Sequence, residues 1–277
     1  MRFGISTHLY HDQRLSREHL AQIAAYGFEA VEVFATRTHF DYHDPSAISQ
    51  LATWLTETGL ELHGVHAPIA SSLSPAGQWG ETLSNAVGDT AKRAAAVAET
   101  QQALEIVKRI PAKAFVVHLG TPADQGGDNN RTAAFRSAEA ICRAAEGVDV
   151  RVAFEVIPND LSDAQSLVTL IERDLDGADA GICLDFGHAF LVGDVPDTIE
   201  TVAEHLVSTH VHDNKGKKDE HLVPFDGKIN WDVALMTMQK VGYDGTYLLE
   251  LANTSTPEEV LGKARQARER FEKLLSY

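Results

Sequence analysis

The chain has 277 residues, of which 44% are hydrophobic, and a formal net charge of −16. This length is close to the ~250 residues of one α/β barrel, so a second domain is not required, and no apolar run approaches the ~20 residues of a membrane span. The acidic charge repels a phosphate backbone, which makes nucleic acid a disfavoured partner and favours small neutral or metal-bound substrates.

The predicted location is cytoplasmic. The opening stretch MRFGISTHLYHDQRL lacks the charged, apolar and small-residue regions of a signal peptide. Cys142 and Cys183 are the only cysteines in the sequence, too few for a disulfide framework. We therefore interpret both as packed thiols in a reducing compartment.

Short apolar runs alternate along the chain with longer amphipathic patterns, which is typical of βα units around a parallel sheet. The predicted strands are Arg2–Thr7, Ala30–Phe34, Leu60–His66, Ala114–His118, Arg151–Glu155, Gly181–Asp185, Val207–His212 and Thr246–Glu250. The predicted helices are Arg17–Tyr26, Pro45–Thr58, Ser84–Arg109, Arg131–Glu146, Asp163–Asp174, Thr198–His205, Trp231–Val241 and Pro257–Leu275. Eight units in strict order predict a single (β/α)8 TIM barrel over residues 1–277, with an open doubly wound sheet as the alternative.

The C-terminal ends of the predicted strands carry the chemistry, because the active site of such a barrel lies at that face. The third to eighth strands finish in or next to side chains that can bind a metal: His66, His118, Glu155, Asp185, His188, His210, His212, Asp213 and Glu250. The loop after strand seven adds Asp219 and His221. A lone histidine at a strand end is more often structural, but a carboxylate that ends an apolar strand is costly to bury without a cation. Six successive strands with such ends predict a metal site.

The ligand types narrow the metal to Mn, Co, Mg or Zn, because two Glu, one Asp and one His form an oxygen-rich site. Four further residues are weaker candidates for substrate contact. His8 and Phe34 end the first two strands and either line the pocket or pack in the core. His212 lies on the same side of its strand as His210 and either supports the ligands or replaces one. Lys215 either meets a substrate oxyanion or is a solvated loop lysine.

The motifs LDFGH and HVHDN, the stretch from DEHL to GKINW and the two strand-end glutamates resemble the xylose-isomerase-like barrel superfamily. That superfamily contains sugar isomerases and epimerases as well as endonuclease IV. The resemblance implies that Glu155, Asp185, His210 and Glu250 hold a shared divalent metal ion and that His188 contacts substrate. It also implies that Glu155 and Glu250 flank the substrate and move its proton through a metal-stabilised enediolate.

A second branch of the superfamily stays open. Endonuclease IV holds three zinc ions, and counterparts of its further ligands stand here at His66, His118, His188, Asp219 and His221. The acidic charge, and an opening stretch through VEVFATRTHFDYHDP that resembles the sugar-epimerase pattern, favour the sugar branch. We therefore predict a divalent-metal-dependent isomerase or epimerase of a small carbohydrate, which is a sugar, a sugar phosphate or a keto-sugar, with one ion per chain. The alternatives are an endonuclease IV-like zinc phosphodiesterase and a non-catalytic metal-binding barrel subunit, and a homo-oligomer is possible.

Overall fold

Eight parallel strands close into one barrel in sequence order, with the first strand paired to the eighth. This confirms the predicted (β/α)8 fold. The computed structural model describes residues 2–74, 77–121, 131–175 and 177–275. The strands are β1 (Arg2–Ser6), β2 (Ala30–Phe34), β3 (Glu61–His66), β4 (Ala114–Val117), β5 (Arg151–Glu155), β6 (Ala180–Asp185), β7 (Leu206–Val211) and β8 (Thr246–Leu249).

Helices surround the barrel on its outer side. Within the described ranges they are α1 (Arg17–Ala25), α2 (Pro45–Thr58), α3 (Thr90–Val107), α4 (Arg131–Ala145), α5 (Ala164–Thr169), α6 (Phe186–Val192), α7 (Val195–Val202), α8 (Trp231–Lys240) and α9 (Pro257–Leu275). A π turn extends α5 to Asp174, and short 3-10 turns follow β1 and α7. None of these helices is both long and apolar enough to cross a membrane.

Polar caps set the helix boundaries. The carboxylate of Asp89 accepts hydrogen bonds from the backbone N–H groups of Ala91 and Lys92, so α3 begins at Thr90 rather than at the predicted Ser84. A capping carboxylate satisfies amide groups that have no partner inside the helix, and it therefore fixes where the helix can begin.

The sequence did not predict α6, which follows β6 without a loop. Asp185 ends the strand and also caps this helix, since its Oδ1 accepts the backbone N–H of His188 at 2.7 Å. The tight turn needs a glycine at position 187, because a Cβ there would lie 2.0 Å from the ring of His212. The short helix keeps the side chain of His188 over the mouth of the barrel.

Small side chains pack inside the barrel, and large side chains pack between the barrel and the helices. Small buried residues, among them Ala114, Ala153 and Cys183, fill one layer inside the strands. Large rings such as those of Trp231 and Phe271, 5.1 Å apart, fill the space between the strands and the helices. Cys142 and Cys183 are both free and buried, as predicted for packed thiols. The small inner layer leaves room for polar side chains at the C-terminal end of the barrel.

Candidate metal centre and active site

The four predicted metal ligands converge at the C-terminal mouth of the barrel. The nearest carboxylate oxygen of Glu155 lies 3.2 Å from His210 Nδ1. The nearest oxygens of Glu250 and Asp185 lie 3.4 and 3.9 Å from the same nitrogen. All four side chains are buried. Ligand atoms that each lie about 2.0 to 2.2 Å from one ion are separated from each other by distances similar to those just given. His210 Nδ1 therefore lies within 4 Å of a carboxylate oxygen of each of the other three residues, as ligand atoms of one ion do.

Several buried atoms of this cluster lack a hydrogen-bond partner. Among the described residues, neither carboxylate oxygen of Glu155, nor His210 Nδ1, nor His118 Nε2 makes a hydrogen bond of acceptable angle. Each such atom costs about 1–3 kcal/mol when it is buried unpaired. A divalent cation would satisfy these lone pairs together, so the donor set fits a metal ion.

Three histidines around this centre are oriented by main-chain carbonyls. The Nδ1–H groups of His66, His188 and His221 donate to the backbone oxygens of Ala67, Val156 and Glu250 at 2.8, 3.0 and 3.0 Å. Because Nδ1 carries a proton in each ring, Nε2 faces the cavity as a potential ligand. These hydrogen bonds fix the rings in the orientation that metal-binding histidines need.

The Nε2 atoms of these three histidines and of His118 lie close to the carboxylates of Glu155 and Asp219. His66 and His118 lie 3.2 and 3.0 Å from the same oxygen of Glu155. His188 and His221 each lie 3.0 Å from one oxygen of Asp219. The additional residues predicted from the sequence are thus brought together as two groups that flank the central four.

The charges of these groups perturb their titration. Burial alone would raise the pKa of Glu155, but the positive charges of His118 and His210 hold it well below its usual range. Burial would lower the pKa of His221, but the neighbouring Asp219 raises it to about 9. Burial would likewise lower the pKa of His188, and Asp185 raises it well above its ordinary value. Without a metal, protonated imidazoles balance the buried carboxylates.

The weaker candidates occupy different places. His212 Nε2 lies 2.9 Å from the Oδ2 atom of Asp185, at the side of the ligand cluster. His8 and Phe34 line the cavity above the ligands. Lys215 is exposed, lies 3.5 Å from Glu220, and is not among the residues that line that cavity.

The cavity over the ligands has a volume of about 360 Å³ and two unlike walls. One wall consists of the metal-capable groups. The other is aromatic and apolar, where Phe34 lies 6.3 Å from Trp79 and 5.1 Å from His8. Trp79 is 45% exposed at the rim. Neither lysine nor arginine lines the cavity in the part of the chain that the structure describes.

Sequence reasoning missed one buried carboxylate near the site, Glu32, and named a second, Asp213, only as a residue that ends strand seven. Glu32, in the middle of β2, lies 3.2 Å from His210 Nε2 inside the barrel. Its signal was an acid within the apolar run AVEVF, the same kind of signal that identified Glu155. Asp213 follows β7 and accepts hydrogen bonds from the loop that carries Asp219. The sequence showed Asp213 in the motif HVHDN, but its role in holding the loop depends on contacts that the motif does not show.

Comparison with known proteins gives concordant matches. A model of the xylose isomerase-like TIM barrel family matches residues 20–274. An uncharacterised protein of Methanocaldococcus jannaschii is 28% identical over 267 residues, which cover 91% of this chain and 84% of that protein. The crystal structure of a D-tagatose 3-epimerase-like protein is 26% identical, with a TM-score of 0.78 over 100% of this chain and 97% of the other.

Two more distant structures share the fold. D-Psicose 3-epimerase from Clostridium cellulolyticum H10, solved with D-tagatose, has a TM-score of 0.79 at 17% identity and 99% coverage of both chains. The IolI protein, solved with a zinc atom, has a TM-score of 0.76 at 16% identity and 98% coverage of both chains. At these identities the likeness establishes a common architecture.

Proposed function

We propose that this chain, which belongs to the xylose isomerase-like TIM barrel family, is a divalent-metal-dependent isomerase or epimerase of a small carbohydrate. The observation that carries the proposal is the convergence of Glu155, Asp185, His210 and Glu250 around buried lone pairs that have no hydrogen-bond partner among the described residues. Sugar epimerases among the similar structures support the same reaction class.

The reaction needs a proton to leave a carbon next to a carbonyl. A divalent ion at the four ligands would polarise that carbonyl and stabilise the negative charge of an enediolate. Glu155, which ends β5 beside His210, would accept the proton as a carboxylate. Glu250, which follows β8 and lies 3.4 Å from His210, would enter the cycle protonated, return its proton and be left as a carboxylate, while Glu155 ends the cycle protonated. Return to the opposite face gives epimerisation, and return to the neighbouring carbon gives isomerisation.

The cavity supports a substrate without a phosphate group. A sugar could place hydroxyl groups against His188 and the metal-facing wall, and its apolar face against Phe34 and Trp79. The described lining residues include no lysine or arginine, so a phosphate group would have to bind at the metal ion or at the histidines, where the sugar carbonyl must also bind. These features favour a free sugar or keto-sugar.

A second function is favoured by one specific observation. Asp219 lies between His188 and His221, and Glu155 lies between His66 and His118, so two further ligand groups stand beside the central one. Three clustered ions would suit the negative oxygens of a phosphodiester. The second candidate is therefore a multinuclear zinc phosphodiesterase.

Counting the ions and assaying both reactions separates the candidates. The protein is dialysed extensively, its metals are measured by elemental analysis, and it is assayed on ketoses, keto-sugars and an abasic-site DNA duplex. We expect one tightly held ion per chain, sugar turnover that a chelator abolishes, and deuterium from heavy water at the carbon next to the carbonyl. Three ions at full occupancy with phosphodiester cleavage would establish the second candidate, and a chain that binds no divalent metal would overturn both.

A further inference from the structure

We propose that Glu32 is a positioning residue for the metal centre, which it serves by fixing the ring of His210 with Nδ1 directed at the ion. The inference rests on the metal centre of the proposed function but concerns a residue that does not act on the substrate. Glu32 meets His210 at Nε2, whereas the three ligand carboxylates meet the same ring at Nδ1. The imidazole therefore stands between Glu32 and the proposed ion.

The geometry around Glu32 determines which nitrogen of His210 carries a proton. Both carboxylate oxygens of Glu32 lie 3.2 Å from Nε2. Because an ionised carboxylate only accepts, Nε2 keeps its N–H as the donor to Glu32, and Nδ1 is the nitrogen whose proton a divalent ion would replace. A carboxylate behind a ligating imidazole also makes the imidazole a stronger donor to the metal.

The fold makes a place for this carboxylate. Glu32 is fully buried on the inner side of β2, between Ser6 of β1 and Gly64 of β3 in the strand register. The hydroxyl of Ser6 donates to Glu32 at 3.2 Å. A side chain at position 64 would crowd it, since a Cβ there would lie 3.3 Å from Glu32 Oε2 and 3.1 Å from the backbone oxygen of Ala114.

A purely structural role accounts poorly for an acid at this position. A buried carboxylate is costly unless it is paired, and a serine hydroxyl alone is a weak partner. A hydrophobic residue in the middle of an apolar strand would stabilise the barrel without that cost. The contact with His210 accounts for the acid at this position, because it links the interior of the barrel to the ligand cluster.

The test measures metal affinity rather than turnover. Zn²⁺ and Co²⁺ dissociation constants are determined by chelator competition for the wild-type chain, Glu32→Gln and Ser6→Ala. Glu32→Gln keeps the side-chain size but removes the charge, and we expect it to weaken binding by about 10–100-fold and to shift the visible absorption bands of bound Co²⁺. Ser6→Ala is the matched control, because it removes the other hydrogen bond of Glu32 and keeps the contact with His210. Its affinity should match the wild type.

A second measurement does not depend on the variant folding. Nitrogen-15 NMR of the zinc-loaded wild-type protein reports which nitrogen of His210 binds the metal, and the proposal requires Nδ1, with the proton on Nε2. Metal on Nε2, or unchanged affinity and Co²⁺ spectrum in Glu32→Gln, would overturn the role of Glu32 alone. A wild-type chain that binds neither ion would instead overturn the proposed metal centre.

Discussion

Replacement of Asp213 by asparagine is expected to destabilise the protein strongly, because this carboxylate holds the β7–α8 loop. Its Oδ1 accepts three hydrogen bonds and its Oδ2 accepts two, all at 3.1 Å or less. The donors are the backbone N–H groups of Asn214, Lys228, Ile229 and Phe225 and the indole N–H of Trp231. Asparagine has the same shape, so the substitution changes hydrogen bonding with little change in volume.

The loss of stability in Asp213→Asn depends on which carboxylate oxygen of the aspartate is replaced by the amide nitrogen of the asparagine. At Oδ1 it would face three N–H groups, and at Oδ2 it would face two, those of Phe225 and Trp231. The less costly orientation still leaves two donors unpaired, at about 1–3 kcal/mol each. We therefore expect the free energy of unfolding to fall by roughly 2–6 kcal/mol and the Tm by roughly 5–20 °C.

Thermal unfolding followed by circular dichroism, with Asp149→Asn as the matched control, measures this loss. Asp149 is exposed at the other end of the barrel, and its replacement should change stability by less than about 0.5 kcal/mol. The loop that Asp213 holds also carries Asp219 and His221, so activity should fall at temperatures where the variant is still folded. If Asp213→Asn unfolds at the wild-type temperature, these five hydrogen bonds do not hold the loop as reasoned.

Four other outcomes are expected. Glu155→Gln should lower turnover by about 100-fold or more, with the exposed Glu146→Gln as control; normal turnover at normal metal content would show that Glu155 is neither base nor ligand. His118→Ala and His221→Ala should change KM or kcat by a larger factor than they change the metal content per chain. If elemental analysis shows the larger loss in metal content, the result would count against one central ion. Because Asp219 raises the pKa of His221 to about 9 from 6.5, the stability from this pair is complete below 6.5 and lost as the pH rises through 9. The Tm of the metal-free protein should therefore fall across that range, and a flat profile would contradict the pairing. Fluorescence anisotropy should detect no binding to duplex DNA at physiological salt, given the net charge of −16.

The barrel and the central ligands could be predicted because both depend on local patterns. Each strand is a short apolar run, and the side chain that follows its last apolar residue lies at the C-terminal face whatever the rest of the fold does. Glu155, Asp185 and Glu250 were visible for that reason. The two flanking groups were also named in the sequence, but their pairing with particular carboxylates depends on loop geometry.

The features that were missed depend on contacts between distant segments. α6 follows from a turn that is possible because residue 187 lacks a side chain beside the ring of His212, a residue from another strand. Glu32 and His210 are 178 positions apart in sequence, so their contact exists only in the closed barrel. For Lys215 the sequence offered two interpretations, and its exposed side chain beside Glu220 agrees with the solvated loop lysine.

The anchoring of imidazoles by main-chain carbonyls has a consequence for how this scaffold can change over time. His66, His188 and His221 are held by peptide oxygens, which every amino acid supplies. Among the residues that the structure describes, the opposite wall contacts those rings by packing, with Phe34 5.0 Å from the ring of His66. Substitutions in that wall can therefore alter which molecule is accepted while the main-chain hydrogen bonds that orient the three histidines are kept. A library that varies the aromatic wall and leaves the histidines alone should yield new specificities at little cost to metal retention.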